Sequence, residues 1–172
     1  KDIRYIELYE DVTITEDIPP TVIKTTFDSP GTHTTTLTAG TTYQIYVIGG
    51  GGGGGGVTTD SNSWSKGGCG GGLSYCEIQP TQDISVTLTV GSGGAGGSSS
   101  ISYHGEDGGT SSVIGTGINM QSTGGEKGKF LNNDATSGGS GTSTLDTNYM
   151  TISNSLNATG GQGGNGQETT SV

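Results

Sequence analysis

The sequence predicts an all-β fold with essentially no α-helix: a small antiparallel β-sheet or sandwich followed by a bundle of polyglycine II helices. Three observations carry this expectation. Short runs such as Tyr43–Ile48 and Ile84–Val90 are rich in β-branched and aromatic residues, and the second alternates cleanly with a period of two. Glycine fills 36 of the 172 positions and recurs at a spacing of three. No stretch repeats its apolar residues at the 3.6-residue period of a helix.

Taken in order, Lys1–Ile18 alternates, with Ile6, Leu8, Val12 and Ile14 on one face and Tyr5, Glu7, Tyr9, Asp11 and Thr13 on the other. A half-buried strand or a broken pair of strands is expected there. Seven of the sixteen acids lie in the first 28 residues. Pro19-Pro20 stops the alternation, and Thr21–Phe27 resumes as extended chain. Residues 1–25 read as an extended segment able to pair with a neighbouring subunit, and residues 26–172 as a glycine-rich β/polyglycine domain.

Asp28-Ser29-Pro30-Gly31 has turn chemistry. Thr32–Thr38 follows as a Thr-rich, edge-like strand, then a turn at Ala39-Gly40 and the strand Tyr43–Ile48. Beyond Gly49–Gly56 and a polar loop around Trp64, Leu73–Gln79 and Ile84–Val90 read as a further strand pair turning at Pro80–Asp83. Regular sheet is therefore expected in the first half of the chain.

After Gly91 the glycines come in triplets, as in Gly93-Gly94-Ala95, Gly96-Gly97-Ser98 and Gly160-Gly161-Gln162. Three residues per turn is the period of the polyproline II helix, so two faces of each such segment carry no side chain. Neighbouring backbones can then approach closely and exchange N–H···O=C bonds. Collagen shares the geometry but needs abundant proline, and this chain has four, the last at Pro80. Flexible Gly/Ser linkers are the alternative. Only 27% of residues are hydrophobic, so burial alone does not offset the entropy of ordering so much glycine. Backbone hydrogen bonding is what remains.

Charge and motifs exclude several functions. The net charge is −10 with six basic residues, so no nucleic-acid footprint exists. Arg4 is the only arginine. No apolar run approaches the ~20 residues that span a membrane, and no membrane insertion is expected. Lys1 in first place points to a processed product or a fragment. Cys69 and Cys76 are seven apart and read either as a local disulfide or as two free, buried thiols. A metal site would need further soft ligands, and His33 and His104 are distant in sequence, so none is expected.

Gly49–Gly56 contains G-x-G-x-x-G after a strand, yet Val57–Ser63 cannot supply the helix whose N-terminus would hold a pyrophosphate. Gly124–Phe130 fails as a phosphate loop, because Phe130 stands where Ser or Thr must bind magnesium. His104 sits beside Glu106 and Asp107, but no G-x-S-x-G elbow accompanies it. No enzymatic activity and no cofactor are expected. Trp64, Tyr103 and Phe130 are aromatics in glycine-rich loops that either cap the bundle or, with His104, contact a ligand.

These residues resemble a known family. Phe27, Pro30-Gly31-Thr32, Ala39-Gly40 and Tyr43–Ile48 leading into Gly49–Gly56 are similar to the glycine-rich domain of phage tail-fibre proteins and related bacterial surface proteins. Gly70–Ser74, Val86–Gly97 and Gly108–Ser112 match its return strand, its hairpin and its later glycine piece, so the resemblance spans roughly Thr26–Thr123. It implies an extracellular place, on a virion tail or a cell-surface appendage. It also implies packed polyglycine helices whose loops, here 57–66, 98–107 and 129–137, meet a host receptor or glycan. The rival expectation is a self-assembling filament or tail subunit, joined through its N-terminal segment. Either way the expected partners are a receptor or further copies of the chain, in a homo-oligomer.

Overall fold

The computed structural model describes residues 23–57, 64–98, 103–130 and 136–165. The Lys1–Ile18 alternation, and the pairing expected of it, lie outside the described residues. Those residues contain eight strands and no helix: β1 (Gly31–Leu37), β2 (Tyr43–Ile48), β3 (Leu73–Pro80), β4 (Ile84–Val90), β5 (Ser111–Gly115), β6 (Ile118–Ser122), β7 (Gly141–Leu145) and β8 (Met150–Ala158). They form two antiparallel sheets, a larger one ordered β1-β4-β5-β6-β7 and a smaller one ordered β2-β3-β8.

The first four strands fall where the sequence places them, but their pairing differs. β1 pairs with β4 and β2 with β3, so neither expected neighbour pair forms. Both short connections cross between the sheets instead. Each strand has one apolar face, and an arch lets two successive strands turn those faces toward each other across the core. The two arches are tied together: Gly40 N–H donates to the Pro80 carbonyl at 2.9 Å and Ala39 N–H to the Asp83 carboxylate at 2.8 Å. Gly40 sits at φ 75°, where a side chain is disfavoured.

Regular sheet is also not confined to the first half. β5 to β8 all lie beyond Gly91. Their apolar residues are few, but those present face inward: Val113, Ile118, Met120 and Met150 are buried against Ile78, Ile84 and Val86. Buried serines are satisfied by the backbone, as where Ser122 Oγ donates to the Val47 carbonyl at 2.8 Å.

From one end of this sandwich the chain continues as seven extended struts. In chain order they are strut 1 (49–56), strut 2 (65–72), strut 3 (91–98), strut 4 (103–110), strut 5 (123–130), strut 6 (136–140) and strut 7 (159–165). Hydrogen bonds recur every third residue. Gly49, Gly52 and Gly55 donate to Gly72, Cys69 and Lys66 of strut 2 at 2.9–3.0 Å. Gly50, Gly53 and Gly56 donate to Gly109, Glu106 and Tyr103 of strut 4 at 2.8–2.9 Å. Strut 1 in turn accepts from Gly94 and Gly97 of strut 3 and from Gly125 and Gly128 of strut 5.

The pattern places the struts in two layers. Struts 3, 1, 2 and 7 lie side by side and extend the smaller sheet, with the strut of β4 added at one edge. Struts 4, 5 and 6 form the second layer and extend β5, β6 and β7 of the larger sheet. The glycines are there for closeness, not for unusual backbone angles. No strut glycine has positive φ. A Cβ at Gly53 would instead fall inside the carbonyl of Ala95, and one at Gly108 inside the carbonyl of Gly50. Three residues per turn thus become three directions; in strut 1 two of them face other struts and the third, at Gly51 and Gly54, faces outward.

Candidate functional site

The struts leave the sheets at one end, and Gly56, Ser65, Tyr103 and Phe130 lie together at the other. This far end collects residues from widely separated parts of the chain. Gly56 N–H donates to the Tyr103 carbonyl at 2.8 Å, and Ser65 bridges to Phe130. The rings of Tyr103 and Phe130 lie 4.7 Å apart, tilted by 30°, an offset arrangement that aromatic pairs favour. Phe130 N–H donates to Nδ1 of His104 at 3.1 Å. In a neutral imidazole that bond places the proton on Nε2.

Three of the four residues singled out as ligand contacts, Tyr103, His104 and Phe130, are therefore drawn together. Trp64 precedes Ser65, the bridge partner of Phe130, and is half-buried at the same end. Below the aromatic pair lies a half-open groove of about 370 Å³, lined by Ala95, Gly96, Gly105, His104, Glu106 and Lys127 among others. It offers a carboxylate, an ammonium and an imidazole beside bare backbone. Such a mixture suits a neutral polar ligand bearing several hydroxyls.

Two acidic residues have roles that sequence reasoning missed. The Asp107 carboxylate accepts from Lys127 N–H at 2.8 Å, and the Glu126 carboxylate accepts from Ser137 N–H at 2.8 Å. Each joins neighbouring struts where the main-chain pattern leaves an amide over. Their place directly before or after a glycine pair, as in Asp107-Gly108-Gly109 and Gly124-Gly125-Glu126, is the signal that could have found them.

The cysteines lie elsewhere. The local disulfide that their spacing allows does not form, and both thiols are free and buried. The reason is geometric: strut 2 runs straight into β3, so at roughly 3 Å per residue the two Cα atoms are about 20 Å apart, and a disulfide requires less than ~7 Å. Cys69 Sγ accepts from Gly163 N–H at 3.2 Å, and Cys76 Sγ lies 3.3 Å from the Met120 sulfur. Burial pushes the Cys76 thiol up to about 11.

Gly49–Gly56 offers nothing to a phosphate. Six of its eight amides donate to carbonyls of neighbouring struts, which leaves no cradle of free N–H groups. Residues 26–172 match the model of a glycine-rich domain. The chain belongs to the glycine-rich domain family. Within this glycine-rich domain the match begins just before the turn into β1 and covers both sheets and every strut. No curated protein matches the chain.

Proposed function

We propose that this glycine-rich domain is a non-enzymatic, extracellular adhesive module, of the kind carried by phage tail fibres, whose strut array holds receptor-binding loops at its far end. The observation that carries this reading is convergence. Tyr103, His104 and Phe130 meet at the far end of the array, although up to 27 positions separate them along the chain. A hydrogen-bonded strut array beneath the Tyr103–Phe130 pair limits the entropy lost there on binding. The polar lining of the groove, with the Tyr103–Phe130 pair next to His104, favours a glycan as the receptor's recognised part.

The test compares the intact chain with Trp64→Ala and with the double variant Tyr103→Ala/Phe130→Ala, on a glycan array and on a panel of bacterial cells. Retained melting with binding reduced at least about tenfold is the expected result, since buried aromatic contacts typically contribute 2 kcal/mol or more. Equal binding by all three proteins removes the tip from consideration.

A second reading is a self-assembling filament or tail subunit. It is favoured by the edges of β1 and β2, each hydrogen-bonded on one side only among the described residues, which can accept an added strand. The alternating segment Lys1–Ile18 of a neighbouring copy is the natural donor. Assembly that persists after deletion of residues 1–18 would sink this reading.

A further inference from the structure

The two outer faces of the strut array differ. The face of struts 4, 5 and 6 carries side chains, among them Asp107, Thr123, Glu126 and Ser137, all exposed. On the outer face of struts 3, 1, 2 and 7 the exposed positions are glycines, spaced by three: Gly93 and Gly96, Gly51 and Gly54, Gly67 and Gly70, Gly161 and Gly164.

Internal packing does not require most of these. A Cβ at Gly54, Gly161 or Gly164 would meet no atom within 4 Å, and one at Gly51, Gly93 or Gly96 would make ordinary contact at 3.7–3.9 Å. Elsewhere in the array an added Cβ generally runs into a backbone carbonyl. The N–H groups of these six glycines also find no acceptor among the described residues. Side chains are missing where there is room for them, and donors are left over on the same face.

The bare face continues onto the smaller sheet. Tyr46 pairs with Tyr75 and Tyr75 with Leu156, which sets all three on the outer side of β2-β3-β8, and the Tyr46 and Tyr75 rings lie 4.7 Å apart. In the next row Ile48, Leu73 and Ala158 stand directly before the struts. Tyr46, Ile48 and Leu156 are 61%, 63% and 56% exposed. From the Tyr46 row to Gly54 no charged side chain interrupts the surface among the described residues. Its flanks are polar, with Ser92 and Ser98 along strut 3 and Gln162 and Asn165 along strut 7.

We infer that this face is a homodimer interface, on which a second copy of the chain packs its own glycine layer so that the two-layer array becomes four layers deep. Shape selects the partner. Only a surface that itself lacks Cβ atoms can come as close as the struts come to one another, and the one such surface described is this face. The N-terminal segment Lys1–Ile18 contains no glycine, so it could cover the Tyr46 row but not the glycine platform. Charge points the same way. Two copies that each carry −10 can approach without strong repulsion only on a neutral face.

The area suffices. Eight residues at ~3.1 Å plus two sheet rows give a length of roughly 35 Å, and four chains at ~4.8 Å give a width of about 19 Å. That is about 650 Å² per partner and roughly 1,300 Å² in all, within the range of specific, stable interfaces. The interface uses neither the tip nor strand exchange, so it stands apart from both functional readings.

Sedimentation velocity on the full chain, from about 1 µM to about 1 mM, tests it against the double variant Gly54→Ala/Gly164→Ala, with Tyr46→Lys as an independent probe of the sheet half. The wild type should reach a dimer. The alanine pair should raise the dimer dissociation constant at least about tenfold while melting normally as a monomer, and Tyr46→Lys should do the same. Thr123→Leu, on the opposite face, should leave the dimer unchanged. A wild type that stays monomeric throughout overturns the inference, as does an alanine pair that dimerises as well as the wild type. A dimer lost on deletion of residues 1–18 but kept in the alanine pair would assign association to the N-terminal segment instead.

Discussion

At the scale of single residues, adjacent glycines in strut 1 do opposite things. Gly53 faces the carbonyl of Ala95 and has no room for a Cβ, whereas Gly54 faces open space. Gly53→Ala should therefore cost about 3 kcal/mol or more, because the clash is with backbone that cannot swing aside. Gly54→Ala should leave the monomer unchanged or stabilise it by about 0.4–1 kcal/mol, through the lower entropy of the unfolded chain. Urea denaturation of both variants at dilute concentration measures the contrast, and similar losses for both would contradict the close packing described. Cys76 supplies a pH dependence. Its folded pKa, about 11, lies above the ordinary thiol value near 9, so burial holds the group neutral. The contribution is whole below pH 9 and is lost as pH rises toward 11; at ~1.4 kcal/mol per unit it amounts to about 2–3 kcal/mol. The fall in stability from pH 9 to 11 should accordingly be steeper in the wild type than in Cys76→Ala, followed by thermal melts at both pH values.

At the scale of elements, the array turns sequence phase into direction. Inserting one alanine after Gly52 rotates everything beyond it by a third of a turn, so Gly53 and Gly56 lose their acceptors in strut 4 and Gly55 its acceptor in strut 2. Inserting three glycines restores the phase and moves the excess into the connection at the far end. Denaturation midpoints should fall much further for the single insertion than for the triple one. This phase is also why the array could be read in the sequence: triplets such as Gly93-Gly94-Ala95 reveal the period without any partner being known. β2 and β4 were legible for a similar reason, since Tyr43–Ile48 and Ile84–Val90 announce themselves by composition and alternation. Their pairing was not. An arch and a hairpin both need a short turn, and only the buried faces of β1 and β4, meeting as Leu37 opposite Ile84, distinguish them. β5 to β8 were harder still, because strands such as Gly141–Leu145 hold one apolar residue among Ser and Thr. At the tip, Tyr103, His104 and Phe130 stood out as residues, but their meeting depends on long-range strut register that no local pattern encodes.

At the scale of the whole molecule, the strands of the sandwich continue directly into the struts of the array. Met120 and Ile78 lie in the core, yet the chains that hold them run directly into struts 5 and 2. Disturbing the core should loosen the array with it, and Met120→Ala, expected to cost about 2–5 kcal/mol, should melt both parts in a single transition. Exchange of the strut amides, resolved by mass spectrometry, would then rise together with exchange in β3 and β6. Each of the seven struts is also the covalent continuation of a strand. Traction along the struts would therefore be shared by several chains in parallel. Separating them would mean shearing whole rows of hydrogen bonds at once instead of peeling them one by one, so the array is expected to resist extension along the struts more than across them.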